Sequence, residues 1–194
     1  MLAVTGGRPP AAGSDPLVPP PESPDASVPP PIPWNPLSYA SARAAIVEAE
    51  NALGAPLDEL VVFVDPPADA ATFAELTPRD IEGAVLSGVA GVAELLREAA
   101  RRFMARGSGT VALVVAARPG RGPLSAMVAG ALDGLSEGLA ATGGGSSWRF
   151  VAIRDESDQP EPLARFVLRA LDEPPREQGK VLRHTGRSGL FGRI

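Results

Sequence analysis

From residue 38 onward the apolar positions alternate between a helical spacing and short unbroken runs. Ala42, Ala45, Ile46, Ala49 and Leu53 recur on one helical face. Asn35-Pro36 or Ser38 can cap that helix, Gly54 can end it, and the predicted span is about 38–53. The run LVVFV (60–64) is apolar at every position, as a parallel strand buried on both faces is. Thr77-Pro78-Arg79-Asp80 reads as a helix start, with Thr as N-cap, Pro at the first helical position and Asp returning a capping bond. That helix should run to about residue 105. One stripe on it is Val85, Val89, Val92, Leu96, Ala99 and Phe103, and Ala84, Gly88, Gly91 and Leu95 form a second beside it. Two stripes imply burial on more than one side, and small residues let another backbone approach.

TVALVVAA (110–117) predicts a second buried strand, followed by a turn at RPGRGP and a helix over about 123–141. The loop TGGGSS (142–147) leads to a strand at WRFVAI (148–153). Asp158-Gln159-Pro160-Glu161 opens a helix to about 172, with Leu163, Phe166, Val167 and Ala170 inward, and KVLRH (180–184) reads as a last short strand. The alternation predicts an α/β fold, a truncated Rossmann-like parallel sheet with helices on both faces, preceded by a proline-rich extended arm. The expected divisions are an arm over 1–37, a domain over 38–187 and a tail over 188–194.

Composition changes the picture in three places. At 194 residues and 44% hydrophobic the chain can bury one core, and a net charge of −5 argues against a general nucleic-acid or anionic-membrane surface. The absence of cysteine excludes disulfides, thiolate metal sites and a Cys nucleophile, and it fits a cytoplasmic protein. No apolar run approaches the ~20 residues of a membrane helix, and no signal peptide is evident. Proline is concentrated: 12 of the 22 fall within residues 1–36, including PPPESP and PPPIPWNP. Proline lacks an N–H and biases its predecessor away from helix, so this arm should be extended or disordered, with polyproline-II character. Two readings stand for it: an untethered tail, or a strap across a partner with Ile32 and Trp34 as anchors. Trp34 could equally plug the chain's own core.

The wording of several segments carries a resemblance. ALDGLSEGLA (131–140), LGAPLDELVVFVD (53–65), the stretch from FAELTPRD (73–80) to TVALVVA (110–116), and GKVLRHTG (179–186) resemble, in order and spacing, the carboxyl-terminal two-thirds of a short-chain dehydrogenase/reductase. The resemblance covers about residues 38–187. It implies a nucleotide-binding fold whose reaction depends on a phosphate-binding glycine loop and a Tyr-x-x-x-Lys pair.

This sequence departs from that pattern at each reactive position. The start MLAVTGGR looks like the family's first strand, but Pro10 and Ala12 stand where two further phosphate-loop glycines belong. Glycine permits close backbone approach to a pyrophosphate, whereas proline fixes φ and removes a donor. The family's helix asparagine falls on Gly88, its substrate-holding serine on or near Ala116, its tyrosine on Ser125 and its lysine on Ala129. A slipped register does not rescue the pair, because the only tyrosine is Tyr39 and the only lysine is Lys180. Without that pair a hydride transfer lacks its proton donor at workable pH.

Other chemistry reads weakly. His184 is the only histidine, with no motif around it. TGGGSS precedes a strand rather than a helix, unlike a phosphate cradle. Arg118 and Arg121 around the Pro119-Gly120 turn could hold an anion or simply be solvated. Glu75, Asp80 and Glu82 resemble capping and surface charges, Asp65 and Asp69 lack metal-ligand companions, and Leu190 with Phe191 could dock on a partner or on the domain.

The expectation is therefore a pseudoenzyme without catalytic residues, cofactor or metal, acting as a structural or accessory subunit. In the resembled family the two long helices pair with their counterparts in a second subunit. Gly88, Gly91, Leu95, Met127, Ala131, Leu135, Gly138, Trp34 and Phe191 are the interface candidates. The partner would be this chain itself or a full-length relative. The competing expectations are a residual small-molecule or nucleotide binder, and an inactive chain completing a partner reductase.

Overall fold

The computed structural model describes residues 3–4, 32–69, 71–142, 147–173 and 180–186. Its elements in chain order are β1 (Ala3–Val4), α1 (Tyr39–Leu53), β2 (Glu59–Val64), a single 3₁₀ turn (Phe73–Glu75), α2 (Pro78–Val85), a π-helical turn (Leu86–Ala90), α3 (Gly91–Arg106), β3 (Thr110–Ala116), α4 (Pro123–Thr142), β4 (Arg149–Asp155), α5 (Pro160–Asp172) and β5 (Leu182–His184). The strands form one parallel sheet in the order β1-β2-β3-β4-β5. Parallel neighbours need crossovers, and the helices supply them on the two faces.

Why these residues form these elements is local at first. Ser38 caps α1 by accepting from the Ser41 N–H, and Gly54 ends the helix in the left-handed region at φ 65°. Thr77 and Asp80 exchange capping bonds around Pro78: the Asp80 N–H donates to the Thr77 hydroxyl, and the Thr77 N–H donates to the Asp80 carboxylate at 2.9 Å. The Thr77 hydroxyl, which also donates to that carboxylate, holds the Asp80 pKa below its usual range.

Packing then divides the strand side chains by parity. Leu60, Val62, Val111, Leu113 and Val115 face a layer of α1, α3 and α4, meeting Ile46, Leu95, Leu96, Phe103 and Leu132. Val61, Ala112, Val114, Val151 and Ile153 face α5, meeting Leu163, Val167, Ala170 and Leu171. All seven residues of β3 are buried, which is why its sequence shows no alternation. Arg102 binds Glu50 and Glu98, and Arg106 donates to the Leu57 carbonyl, so α3 is pinned to α1 and its following loop.

Four features differ from the sequence pattern. The long helix contains a π turn, and its extra residue rotates the side chains of α3 by ~100° relative to those of α2. The stripe read through Val85 to Phe103 therefore breaks: Val92, Leu96, Ala99 and Phe103 are buried, while Val85 is exposed. Leu53, expected inward, is exposed because it ends α1 just before the chain turns at Gly54. The last strand is shorter than KVLRH, and β4 runs on to Asp155. Finally, packing begins before residue 38: Ile32 and Trp34 are buried in the helical layer, which is the core-plug alternative for Trp34 and not the exposed partner anchor.

Candidate functional site

In a parallel α/β sheet the carboxyl ends of the strands are where ligands bind. Here those ends carry Asp65 after β2, Arg118 after β3, Asp155 to Asp158 at and after β4, and His184 at the end of β5. The amino terminus of α4 points into the same region.

The charged groups of that region are paired within the chain. The Asp69 carboxylate accepts from the Leu124 N–H at 2.9 Å and the Ser125 N–H at 3.2 Å, so it satisfies two of the free donors that open α4. The Asp69 N–H donates to the Arg121 carbonyl at 2.7 Å. Gly122, at φ 102°, lies against Asp69, and a Cβ there would run into the carboxylate. The Arg121 guanidinium donates to the Pro66 carbonyl at 2.8 Å and pairs with Asp65 at 3.0 Å. Arg118 lies 2.9 Å from Asp158 and 3.6 Å from Asp65, although its Nε makes no aligned hydrogen bond. The Asp158 contact is electrostatic only. Arg118 and Arg121 are thus committed to carboxylates of this chain, and Asp65 and Asp69 serve as their partner and as a helix cap.

At the β4–β5 edge of the same carboxyl end, Asp155, Ser157 and His184 form a buried cluster. One oxygen of Asp155 accepts from the Ser157 N–H at 3.1 Å and from the Ser157 hydroxyl at 2.8 Å, and it lies 2.9 Å from His184 Nδ1. The Ser157 hydroxyl is 3.1 Å from the same Nδ1, and the Phe166 ring covers the imidazole at 5.2 Å between centroids. A Ser-His-Asp nucleophile relay needs the serine on Nε2, opposite the carboxylate. Here both partners sit on Nδ1, so the trio ties β5 to β4 instead. Sequence reasoning missed Asp155 and Ser157; the available signal was a run of polar residues directly after an apolar strand.

The positions where the resemblance would set the family's reactive residues are apolar or enclosed. Ala116 ends β3 and is buried; Ser125 and Ala129 are each 6% exposed. Gly88 faces α4, where an added Cβ would come within 2.9 Å of Val128. Gly91 lies against the Pro36 carbonyl, too close for any side chain. Four interface candidates are therefore enclosed by their own chain: Gly88 under Val128, Gly91 under Pro36, and Leu95 and Trp34 in the core. Helix-helix and helix-strap contact inside one domain also demands small residues, and spacing alone does not tell the two uses apart. Pro10, Ala12 and Phe191 lie outside the described residues, as does most of TGGGSS.

The remaining candidates share one surface. Met127, Gly130, Ala131, Gly134 and Gly138 follow one another along the exposed side of α4, with half-buried Leu135 at its margin. Nothing lies within 4 Å of where a Cβ would sit at Gly130, Gly134 or Gly138. Neighbouring α2 exposes Ile81 and Val85, the π turn exposes Leu86, and the loop before α2 exposes Phe73. Among the described residues no group of three or more acidic, His or Cys side chains is placed to hold a metal. No described helix is long and apolar enough to cross a membrane.

Solved structures match this arrangement. The sorbitol-6-phosphate 2-dehydrogenase of Erwinia amylovora aligns with a TM-score of 0.66 at 14% identity, over 83% of this chain and 79% of that one. A 3-ketoacyl-(acyl-carrier-protein) reductase of Brucella melitensis, solved with NADH, aligns at 0.66 and 19% identity, over 80% and 76%. A short-chain dehydrogenase of Streptomyces avermitilis aligns at 0.64 and 17%, over 80% and 71%. The fold is that of the short-chain dehydrogenases and reductases. At these identities the likeness concerns the fold alone. No protein-family model matches the chain, and no curated protein matches its sequence.

Proposed function

We propose that this chain is a non-catalytic subunit built on the short-chain dehydrogenase/reductase fold, which acts by pairing through the exposed side of α4 and the adjoining edge of α2. Its partner is a second copy of itself or a full-length reductase of the same fold. The proline-rich arm, pinned at Ile32 and Trp34, is the tether within that assembly. The observation that carries the reading is the contrast along α4. Its inward positions Ser125 and Ala129 are buried and its first N–H groups are capped by Asp69, while its outward positions are small, open and flanked by Met127, Ile81 and Val85. A helix face of glycine and alanine allows a second helix to approach closely, and bulky apolar neighbours supply area to bury.

Light scattering on a gel-filtration column tests it. The chain should elute as a dimer, or should form a stoichiometric complex with a full-length reductase. Gly134→Glu should abolish that association without loss of helical signal, because the position is exposed and glutamate is the better helix former. A wild-type chain that stays monomeric and binds no such reductase overturns the proposal.

A further inference from the structure

The elements that build the α2–α4 surface are apolar where they are open. Ile81 and Val85 stand one turn apart on α2 and are exposed, as is Met127 of α4. Phe73 and Leu86 are more than half exposed. No residue of α2 or of the π turn is buried. An apolar helix edge that its own domain leaves open is a place for another chain to cover.

Charge says what kind of chain. Residues 73–90 and 123–142 hold one cation, Arg79, against Glu75, Asp80, Glu82, Asp133 and Glu137, a net of 1 − 5 = −4. The whole chain has 18 cations and 23 carboxylates, a net of −5, so everything else holds 17 against 18, a net of −1. Four of the five surplus negative charges therefore belong to the elements of this one surface. Asp133 is engaged by Arg154 of β4. Glu75 and Asp80 cap helix starts, and the Thr72 and Thr77 hydroxyls hold both carboxyls below their usual range, so both are ionised at neutral pH. Glu82 and Glu137 are exposed and make no ion pair among the described residues. Glu82 directly follows Ile81, and Glu137 lies between Gly134 and Gly138, so each borders an open apolar row.

A two-fold pair lays a surface on itself. Two copies would set −4 against −4, with Arg79 the only cation these elements offer to Glu82 and Glu137. Like charges across an interface oppose encounter and select against the wrong partner. Taking pairing through α4 from the function proposed above, on which this rests, we propose that the α2–α4 surface binds a helix of a different protein, apolar along one face and bordered by lysine or arginine. A second copy of this chain is then the partner excluded. The apolar side chains seat over Gly130, Gly134 and Gly138 and beside Ile81 and Val85, and the bordering cations reach Glu82 and Glu137. Exposed ion pairs of this kind contribute selectivity and speed of encounter more than affinity, so the apolar seat and the charged border can be tested separately.

Two synthetic peptides make the test on the full chain. Each is alanine-rich, end-blocked and about 18 residues long, five helical turns, with leucines one turn apart and either lysines or glutamates beside them. In an NMR titration the lysine peptide should shift the amide signals of Ile81, Gly130, Gly134 and Gly138, and the glutamate peptide should leave them unmoved. Glu82→Gln with Glu137→Gln should weaken the lysine peptide about fivefold, as the loss of two exposed pairs does, with unchanged circular dichroism. Raising the ionic strength from about 0.1 M to 1 M shortens the Debye length from ~10 Å to ~3 Å and should weaken it likewise. Light scattering should find the wild-type chain alone to be a monomer. A wild-type dimer that Gly134→Glu dissolves overturns this inference and leaves pairing through α4 standing. Equal binding of the two peptides, shifts confined to other surfaces, or no binding also overturn it. If the chain in addition pairs neither with itself nor with a full-length reductase, pairing through α4 falls too.

Discussion

A lysine placed at residue 129, where the resemblance would set the Lys of the Tyr-x-x-x-Lys pair, tests how firmly this side of α4 is buried. Ala129 is 6% exposed and belongs to the apolar cluster under α1, α3 and α4. The one carboxylate buried in that layer, Glu98, is already held by Arg101 and Arg102. A lysine there would be desolvated without a partner, and buried lysines fall to pKa values of about 5–6 from ~10.4. The charged form is the one penalised in the folded state. The cost is therefore absent above the unfolded pKa and grows as pH falls below it, by ~1.36 kcal/mol per unit. At pH 7 it reaches about 4–5 kcal/mol, and at pH 10 about 0.7 kcal/mol. The former is a third or more of the stability of an ordinary domain, ~5–15 kcal/mol. Ala129→Met serves as the control for bulk without charge. Thermal melts from pH 7 to 10 should show Ala129→Lys far below Ala129→Met at pH 7 and converging on it near pH 10. If the two variants melt together at every pH, the side chain reaches solvent at the crevice. In that case the inward side of α4 is not sealed at Ala129, and the reasoning from burial fails.

Three more outcomes are expected from contacts at the ends of helices and at the strap. Asp69→Ala removes the acceptor of two N–H groups at the start of α4 and should cost about 1 kcal/mol in urea unfolding, within the roughly 0.5–2 kcal/mol range of helix caps; no measurable change would show that water replaces the carboxylate there. Gly91→Val should destabilise by several kcal/mol in the same assay, since the new side chain must displace the Pro36 strap; a loss below about 1 kcal/mol, the range of surface changes, would mean the strap is loosely held. Asp80, whose pKa is lowered by its bond to Thr77, should support the start of α2 at neutral pH. That support is present above the ordinary carboxylate value near 4 and lost as pH falls through the lower folded value, and Asp80→Asn should flatten the acid limb of the stability curve.

The elements that were legible in the sequence are those whose causes are local. LVVFV and TVALVVAA are apolar because a central parallel strand is covered on both faces; the structure buries Leu60 to Val62 and Thr110 to Ala116 and leaves Phe63, Val64 and Ala117 half-buried. Thr77-Pro78-Arg79-Asp80 carries its whole capping geometry within four residues. The π turn was not legible, since nothing in LSGVA distinguishes it from α-helix; tertiary contact at Val128 and Pro36 accompanies it. The pairing of groups at the strand ends was equally hidden. Asp69 reaches Leu124 across 55 residues, and His184 reaches Asp155 across 29. Such pairs appear in sequence only as scattered charges. The small residues were legible as a demand for close approach, but not as to what approaches: at Gly88 and Gly91 it is this chain, and at Gly134 the space is open.

The strand pairings are unequal in length, and this sets the order in which the sheet loosens. β2 with β3 and β3 with β4 are joined over six and seven residues, whereas β1 holds two and β5 three. Amide protons of Val111 to Val115 should exchange with solvent only when the whole domain opens, and those at Val4 and Leu182 through small local openings. Both edges of the sheet therefore open while its centre is intact. A segment leaving either edge can be handed to another molecule on the timescale of fraying, without waiting for the domain to unfold.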